Sequence, residues 1–178
     1  MLPLFFLEEN MYKKFYPHTT AKNVFELDEK FYSSNNIKGV IFDIDNTLVN
    51  AGTKTPPKEI LDYFEKLENM GIKIAIVSNN YKERVEGFCK ELPYMYVSRA
   101  WKPFKKNLKK VKKEFGIPSD EMCLVGDQIF TDIYGGLRMG FYTVLVTAVG
   151  ENETKFVAFK RIFEKAVMDE YAKNRGKK

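Results

Sequence analysis

A chain of 178 residues with 44% apolar and 15% aromatic content can build one globular domain with a real core, and is too short for two comfortable ones. Its net charge of +5 and pI near 9.0 fit polyanionic partners or an anionic surface, or simply well-solvated lysines. The two cysteines, Cys89 and Cys123, lack metal-ligand spacing and read as small core residues of a reducing compartment rather than as staples.

Residues 1–36 read as an aromatic and basic N-terminal arm. Leu2-Pro3-Leu4-Phe5-Phe6-Leu7 is too short to span a bilayer and is cut off by Glu8-Glu9-Asn10, with no basic region before it, so neither a signal peptide nor a membrane span is expected. Tyr12, Phe15, Tyr16, Phe25, Phe31 and Tyr32 follow among lysines, with Leu27 and Phe31 at helical spacing. The plainer expectation is an arm packed against a sheet; the alternative is an interfacial foot on a membrane.

Residues 37–150 read as the core. Val40, Ile41 and Phe42 show no polar alternation, which predicts a strand covered on both faces, and the run ends in Asp43 and Asp45. Carboxyl ends of parallel strands are where such sheets place ligands. Two acids so close repel unless a cation lies between them, and a hard oxygen-binding ion such as Mg²⁺ is the natural candidate. D-x-D alone also fits a solvated turn, so the downstream sequence decides.

Thr55-Pro56-Pro57 predicts an N-cap and a proline start for a helix with Ile60, Leu61, Phe64, Leu67 and Met70 inward, stopped by Gly71. A second strand over 72–77 runs into Ser78-Asn79-Asn80. Then comes a helix with Val85, Phe88, Cys89 and Leu92 inward, and a short strand over 94–98. Trp101-Lys102-Pro103 puts a lysine ahead of a helix with Phe104, Leu108, Val111 and Phe115 inward. Its outer face carries Lys105, Lys106, Lys109, Lys110, Lys112 and Lys113, a solvated surface or a field for anions. Met122-Cys123-Leu124-Val125 leads into Gly126-Asp127, with Asp132 five residues on. Gly135-Gly136 permits close packing, and 141–147 reads as a further strand.

This alternation implies an α/β fold, a doubly wound, Rossmann-like parallel sheet of about five strands flanked by helices. Residues 151–178 read as a basic amphipathic helix. Its stripe of Phe156, Phe159, Ile162, Phe163, Ala166 and Val167 is bordered by Lys155, Lys160, Arg161 and Lys165. Such a helix closes one face of the sheet or lies on an anionic bilayer.

Several chemistries lack their residues. His18 is the single histidine, far upstream of the acids, and neither cysteine has an arginine six positions on, where Met95 and Ile129 stand. No G-x-x-x-x-G-K-[ST] loop occurs. Carboxylate chemistry is what remains.

In order and spacing, D-x-D-x-T at 43–47, Ser78, Lys102 and G-D-x-x-x-x-D at 126–132 resemble the four motifs of the haloacid dehalogenase superfamily of phosphohydrolases. The resemblance implies that Asp43 attacks phosphorus to give an aspartyl-phosphate, and that Asp45 protonates the leaving alcohol and then activates water. It implies Mg²⁺ held by Asp43, the backbone carbonyl of Asp45 and Asp127, with Asp132 ordering the metal shell and Lys102. Thr47, Ser78, the backbone N–H of Asn79, and Lys102 would hold the phosphoryl oxygens.

Neither Val49 to Lys73 nor Asn79 to Trp101 has room for a cap domain, so the chain looks like the capless subclass III. D-I-D-N-T-L-V, W-K-P and G-D-Q-x-x-T-D-x-x-G-G are similar to the bacterial YqeG-type family, related to mitochondrial-type phosphatidylglycerophosphate phosphatases. That implies Mg²⁺-dependent hydrolysis of a phosphomonoester. The expected substrate is a phosphatidylglycerophosphate headgroup in phospholipid biosynthesis, reached by a cytoplasmic protein peripheral to an acidic membrane; nucleic acid is not the first-choice partner. A capless phosphatase of a soluble sugar or nucleotide monophosphate is the alternative within the enzymes. A non-catalytic RNA- or ribosome-associated binder is the alternative outside them, but it would not need Asp43, Asp45, Lys102, Asp127 and Asp132 together.

Overall fold

In the computed structural model, the apolar run before the first carboxylate becomes the strand on which the sheet is centred. The structure describes residues 12–150 and a helix at 155–175, with side chains in that helix from 163 to 174. The stretch 2–7 and the side chains of Lys155, Phe156, Phe159, Lys160, Arg161 and Ile162 lie outside the described residues.

Among the described residues, six strands form one parallel sheet: β1 (Thr19–Ala21), β2 (Gly39–Phe42), β3 (Lys73–Val77), β4 (Met95–Val97), β5 (Met122–Gly126) and β6 (Tyr142–Val146). Their order across the sheet is β1-β6-β5-β2-β3-β4. From β2 the chain moves to β3 on one side and later to β5 on the other. The carboxyl end of β2 is therefore a topological switch point, where diverging connections leave a crevice. Phe42 is level with Ile76 of β3 and Val125 of β5, so the residues after these three strands emerge side by side.

Helices α1 (Glu29–Ser34), α2 (Lys58–Asn69), α3 (Lys82–Cys89), α4 (Lys105–Phe115), α5 (Tyr134–Met139) and α6 (Lys155–Arg175) accompany the sheet. Successive strand residues point to opposite faces. Val40, Phe42, Ile74 and Ile76 pack with Tyr32, Phe64, Leu67, Val85 and Phe88 in one apolar layer. Ile41, Ala75, Val77 and Leu124 pack with Leu108, Val111 and Phe115 in the other. Both faces being covered explains why the strands read as continuous apolar runs.

The arm supplies a sixth strand where apolar pattern predicts about five. Thr19–Ala21 is too short and polar to signal a strand, yet it pairs with β6, Thr19 beside Val144. His18 anchors it: its backbone N–H donates to Thr143 O at 3.1 Å, its Nδ1 accepts from Thr143 N–H at 3.1 Å, and its ring stacks on Tyr142 at 4.7 Å.

Four local expectations need correction. Thr55 does not cap α2; Pro57 holds the N-cap position with ψ 162° and no side-chain hydrogen bond. Leu61 is exposed while Tyr63 is buried, because the Tyr63 hydroxyl has partners inside, Tyr32 Oη at 2.6 Å and Leu27 O at 3.3 Å. Phe104 stands at the N-cap of α4, before the inward-facing turn, and is exposed. On α6 the buried face runs through Glu164, Val167 and Tyr171, with Phe163 and Ala166 turned outward, because the Glu164 carboxylate is drawn inward by backbone N–H groups. Gly136 does permit close packing: a Cβ there would lie 2.6 Å from Thr143 Cγ2 and 3.2 Å from Leu124 Cβ.

Candidate active site

The site forms where β2, β3 and β5 end together. Asp43 follows β2 and is tied to the neighbouring strand by its N–H, which donates to Val125 O at 3.1 Å. The next residues turn tightly: Thr47 and Leu48 donate their N–H groups to Ile44 O, and Asn46 takes φ +64°, a conformation that asparagine tolerates better than most residues. Asp127 follows β5, and Ser78 follows β3.

Lys102 arrives from the loop between β4 and α4, and the side-chain amide of Asn79 fixes its backbone. Asn79 Oδ1 accepts from Lys102 N–H at 2.7 Å, and Asn79 Nδ2 donates to Lys102 O at 3.0 Å. Its Nζ then lies 2.8 Å from Asp43 Oδ1 and 2.6 Å from Asp132 Oδ1. Asp132 is held in turn by Gln128 N–H at 3.1 Å, and Gly126 has no Cβ where Asp132 packs against it.

Asp43, Asp127 and Asp132 are all buried, each offering one carboxylate oxygen within 4.8 Å of the others. Lys102 offsets one of these charges and leaves two negative ones in a desolvated place. Burial pushes the Asp43 carboxyl up to about 7 in the metal-free protein; Lys102 opposes the rise, and Asp132 and Asp127 add to it. Burial alone would lower Lys102, but Asp132 and Asp43 outweigh it and hold the ammonium above its ordinary range. A hard divalent cation fits this donor set, being all oxygen, closely spaced and short of positive charge.

Asp45 is not in that cluster. Arg84, in the first turns of α3, places Nη2 at 2.7 Å and Nε at 3.2 Å from its Oδ1, while Asn80 Nδ2 donates to its Oδ2 at 2.9 Å. These two partners hold the carboxylate apart from the other acids, so the Asp45 side chain is not among the clustered oxygens. Thr47 also departs from expectation. Fully buried, its hydroxyl donates to Asp127 Oδ1 at 3.2 Å, and it is not in the cavity wall.

Asp43, Asp45, Ser78, Arg84, Lys102 and Asp132 are among the residues lining a cavity of about 390 Å³. The connections on either side hold only α2 and its loop, or α3 and β4, so no additional domain among the described residues roofs it. A larger groove of about 920 Å³ between α1 and α2 includes Ile37 and Ile72, at the amino ends of β2 and β3, away from the acids.

Sequence reasoning missed Arg84, Asn80 and Glu164. Glu164 reaches from α6 to accept the N–H groups of Ile129 at 2.7 Å and Phe130 at 3.4 Å, bracing the segment between Asp127 and Asp132. Arg84 sits six residues beyond Ser78 on a helix face that pattern alone assigns to solvent; an arginine so close behind a strand-end serine was the available signal.

A family model described as haloacid dehalogenase-like hydrolase matches residues 52–146, the span holding Ser78, Lys102, Asp127 and Asp132. One described as mitochondrial PGP phosphatase matches residues 7–86, the span holding Asp43, Asp45 and Thr47. The chain is 33% identical over 159 residues to the Bacillus subtilis protein named "Probable phosphatase YqeG", covering 89% of this chain and 92% of that one. It is 29% identical over 150 residues to the Arabidopsis thaliana phosphatidylglycerophosphate phosphatase 1, chloroplastic/mitochondrial, covering 79% of this chain and 43% of that one. Among solved structures, a Legionella pneumophila protein described as a HAD superfamily (subfamily III A) hydrolase aligns with TM-score 0.51 and 21% identity. The alignment covers 71% of this chain and 74% of that one, a likeness of fold.

Proposed function

We propose a reaction and a substrate for this chain, which belongs to the haloacid dehalogenase-like hydrolases and is a phosphatase. The reaction is hydrolysis of a phosphomonoester through an aspartyl-phosphate, with Mg²⁺ that Asp43, Asp127 and the backbone carbonyl of Asp45 would hold beside Asp132, the third acid of the cluster. Bound there, Mg²⁺ would offset the charge of carboxylate and phosphate as they approach.

Asp43 forms the new O–P bond while the bond from phosphorus to the leaving oxygen breaks. Asp45 gives that oxygen its proton, then takes one from the water that cleaves the aspartyl-phosphate and so regenerates Asp43. Lys102, 2.8 Å from Asp43, keeps a positive charge beside the attacking oxygen. Ser78 and the N–H of Asn79 bind phosphoryl oxygens. Thr47 serves by orienting Asp127.

The observation that carries this reading is the buried contact of Lys102 with both Asp43 and Asp132 at the switch point of the sheet, in a cavity that no domain among the described residues covers. The substrate we propose is phosphatidylglycerophosphate, met by a protein peripheral to the cytoplasmic face of a membrane. The match to the PGP phosphatase model and the Arabidopsis relative support it, and an uncapped site suits a headgroup whose own bilayer covers it. No helix among the described residues is long and apolar enough to cross a membrane. The test is a Mg²⁺-dependent panel comparing lipid phosphates in vesicles with soluble sugar and nucleotide monophosphates. Preference for the lipid phosphate is expected; a higher kcat/KM on a soluble monophosphate would replace the substrate and leave the chemistry.

A further inference from the structure

Three large aromatic side chains stand exposed at the mouth of the cavity that holds Asp43 and Lys102: Tyr81 at 55%, Trp101 at 69% and Phe104 at 63%. With Arg99 they line a shallow cavity of about 590 Å³ that shares Asn79, Asn80, Tyr81 and Lys102 with the site. Aromatic rim and reaction centre are one continuous surface.

Each ring occupies a position where local physics favours something else. Tyr81 and Phe104 hold the N-cap positions of α3 and α4, and neither makes a side-chain capping hydrogen bond. Serine, threonine, aspartate or asparagine is the stabilising choice there. Trp101 has φ +56° and Arg99 φ +44°, in the left-handed region that bulky residues rarely enter. That turn sends consecutive residues opposite ways, Lys102 into the site and Trp101 into solvent. Exposed rings add little to the core, so three local exceptions around one opening mark a surface with another task.

Its charge indicates the partner. Among the described residues lining this cavity there is no carboxylate, and Arg99 lies within it. Helix α4 opens with Lys105-Lys106 and no acid in its first turn, although the helix dipole disfavours cations at that end. Lys82 and Glu83 offset one another in the first turn of α3. Tryptophan and tyrosine rings settle at the headgroup level of bilayers, and neighbouring basic residues are drawn to anionic lipid.

We propose that this rim is the surface by which the protein docks on a bilayer containing acidic phospholipid. The Trp101 ring enters the headgroup region, and the cavity opens onto phosphomonoesters carried by that bilayer. The inference rests on the lipid-phosphate reading above and assigns docking to the site mouth rather than to α6.

Trp101 is the single tryptophan of the chain, so its fluorescence reports on this rim alone. The full chain is titrated with vesicles of phosphatidylcholine and with vesicles also containing phosphatidylglycerol. A blue shift, and quenching by brominated lipid, are expected with the acidic vesicles and weaken with salt. Phe104→Ser supplies a capping hydroxyl to α4 and leaves turnover of a soluble aryl phosphate unchanged, yet weakens vesicle binding roughly tenfold, the order expected for one buried ring.

Unchanged Trp101 emission on vesicles that sediment with the protein would overturn the proposal, as would a shift given by an RNA homopolymer and not by vesicles. A shift on acidic vesicles without hydrolysis of the lipid phosphomonoester upholds docking and removes the substrate. Hydrolysis of detergent-dispersed lipid phosphate with no shift on vesicles does the reverse.

Discussion

Arg84 grips a single oxygen of Asp45, with Nη2 at 2.7 Å and Nε at 3.2 Å, while the guanidinium rests over the Phe88 ring at 5.3 Å. The pair keeps Asp45 out of the cluster of Asp43, Asp127 and Asp132 and leaves it beside the cavity. In the proposed reaction that position suits the Asp45 carboxylate to proton transfer rather than to holding the cation.

Arg84→Ala therefore frees Asp45 without touching Asp43. The single-turnover phosphorylation rate is expected to fall by about tenfold to a hundredfold on alkyl phosphates and to change little on activated aryl phosphates. Asp45→Asn follows the same pattern with a larger loss, about 10²–10⁴. Equal losses on both leaving groups would make the pair purely structural.

Asp43 gives a pH signature. Its folded value, about 7, lies above that of an unfolded aspartate, so the metal-free folded state holds the proton more tightly. Stability from this group is present below a pH of about 4 and is lost as pH rises through about 7. In thermal melts without metal, Asp43→Asn should gain on wild type across that window. Saturating Mg²⁺ should reverse the order at neutral pH. A constant difference would mean that Asp43 is not strained by burial.

Glu164 braces the segment between Asp127 and Asp132 from a helix far along the chain. Glu164→Ala should raise the Mg²⁺ concentration needed for half-maximal activity by roughly 10–100-fold, as for other residues that position metal ligands. Glu164→Gln keeps an acceptor and should recover most of it. A metal titration unmoved in the alanine variant would sever α6 from the site.

Gly136→Ala forces a methyl group into Thr143 and Leu124, both on buried strands. Overpacking of this kind costs about 1–3 kcal/mol, measurable as a lower midpoint in urea with unchanged slope. Wild-type stability would mean that α5 sits farther from the sheet.

Much of this architecture is legible in the sequence. β2, β3 and β5 announce themselves because strands buried on both faces leave little room for polar residues, and each is followed at once by a residue of the site, Asp43, Ser78 and Asp127. What stayed hidden depends on tertiary context. Arg84 and Glu164 lie on helices, where a charged residue reads as solvent-facing until something buried draws it in. β1 has no apolar signal, since three edge residues owe their pairing to β6 and to the His18–Thr143 contacts. Resemblance directs Thr47 toward the substrate, while the pairing of β2 with β5 brings its hydroxyl to Asp127.

The claim on which the account rests is that Asp43 is the nucleophile of a Mg²⁺-dependent phosphomonoesterase. Its most direct test is the steady-state hydrolysis of an aryl phosphate by wild type and by Asp43→Asn, each with Mg²⁺ and after chelation. Turnover by wild type with Mg²⁺ alone is expected, with a fall on the order of 10³ or more in the variant, its fold intact by circular dichroism. Turnover by Asp43→Asn close to that of wild type would contradict it.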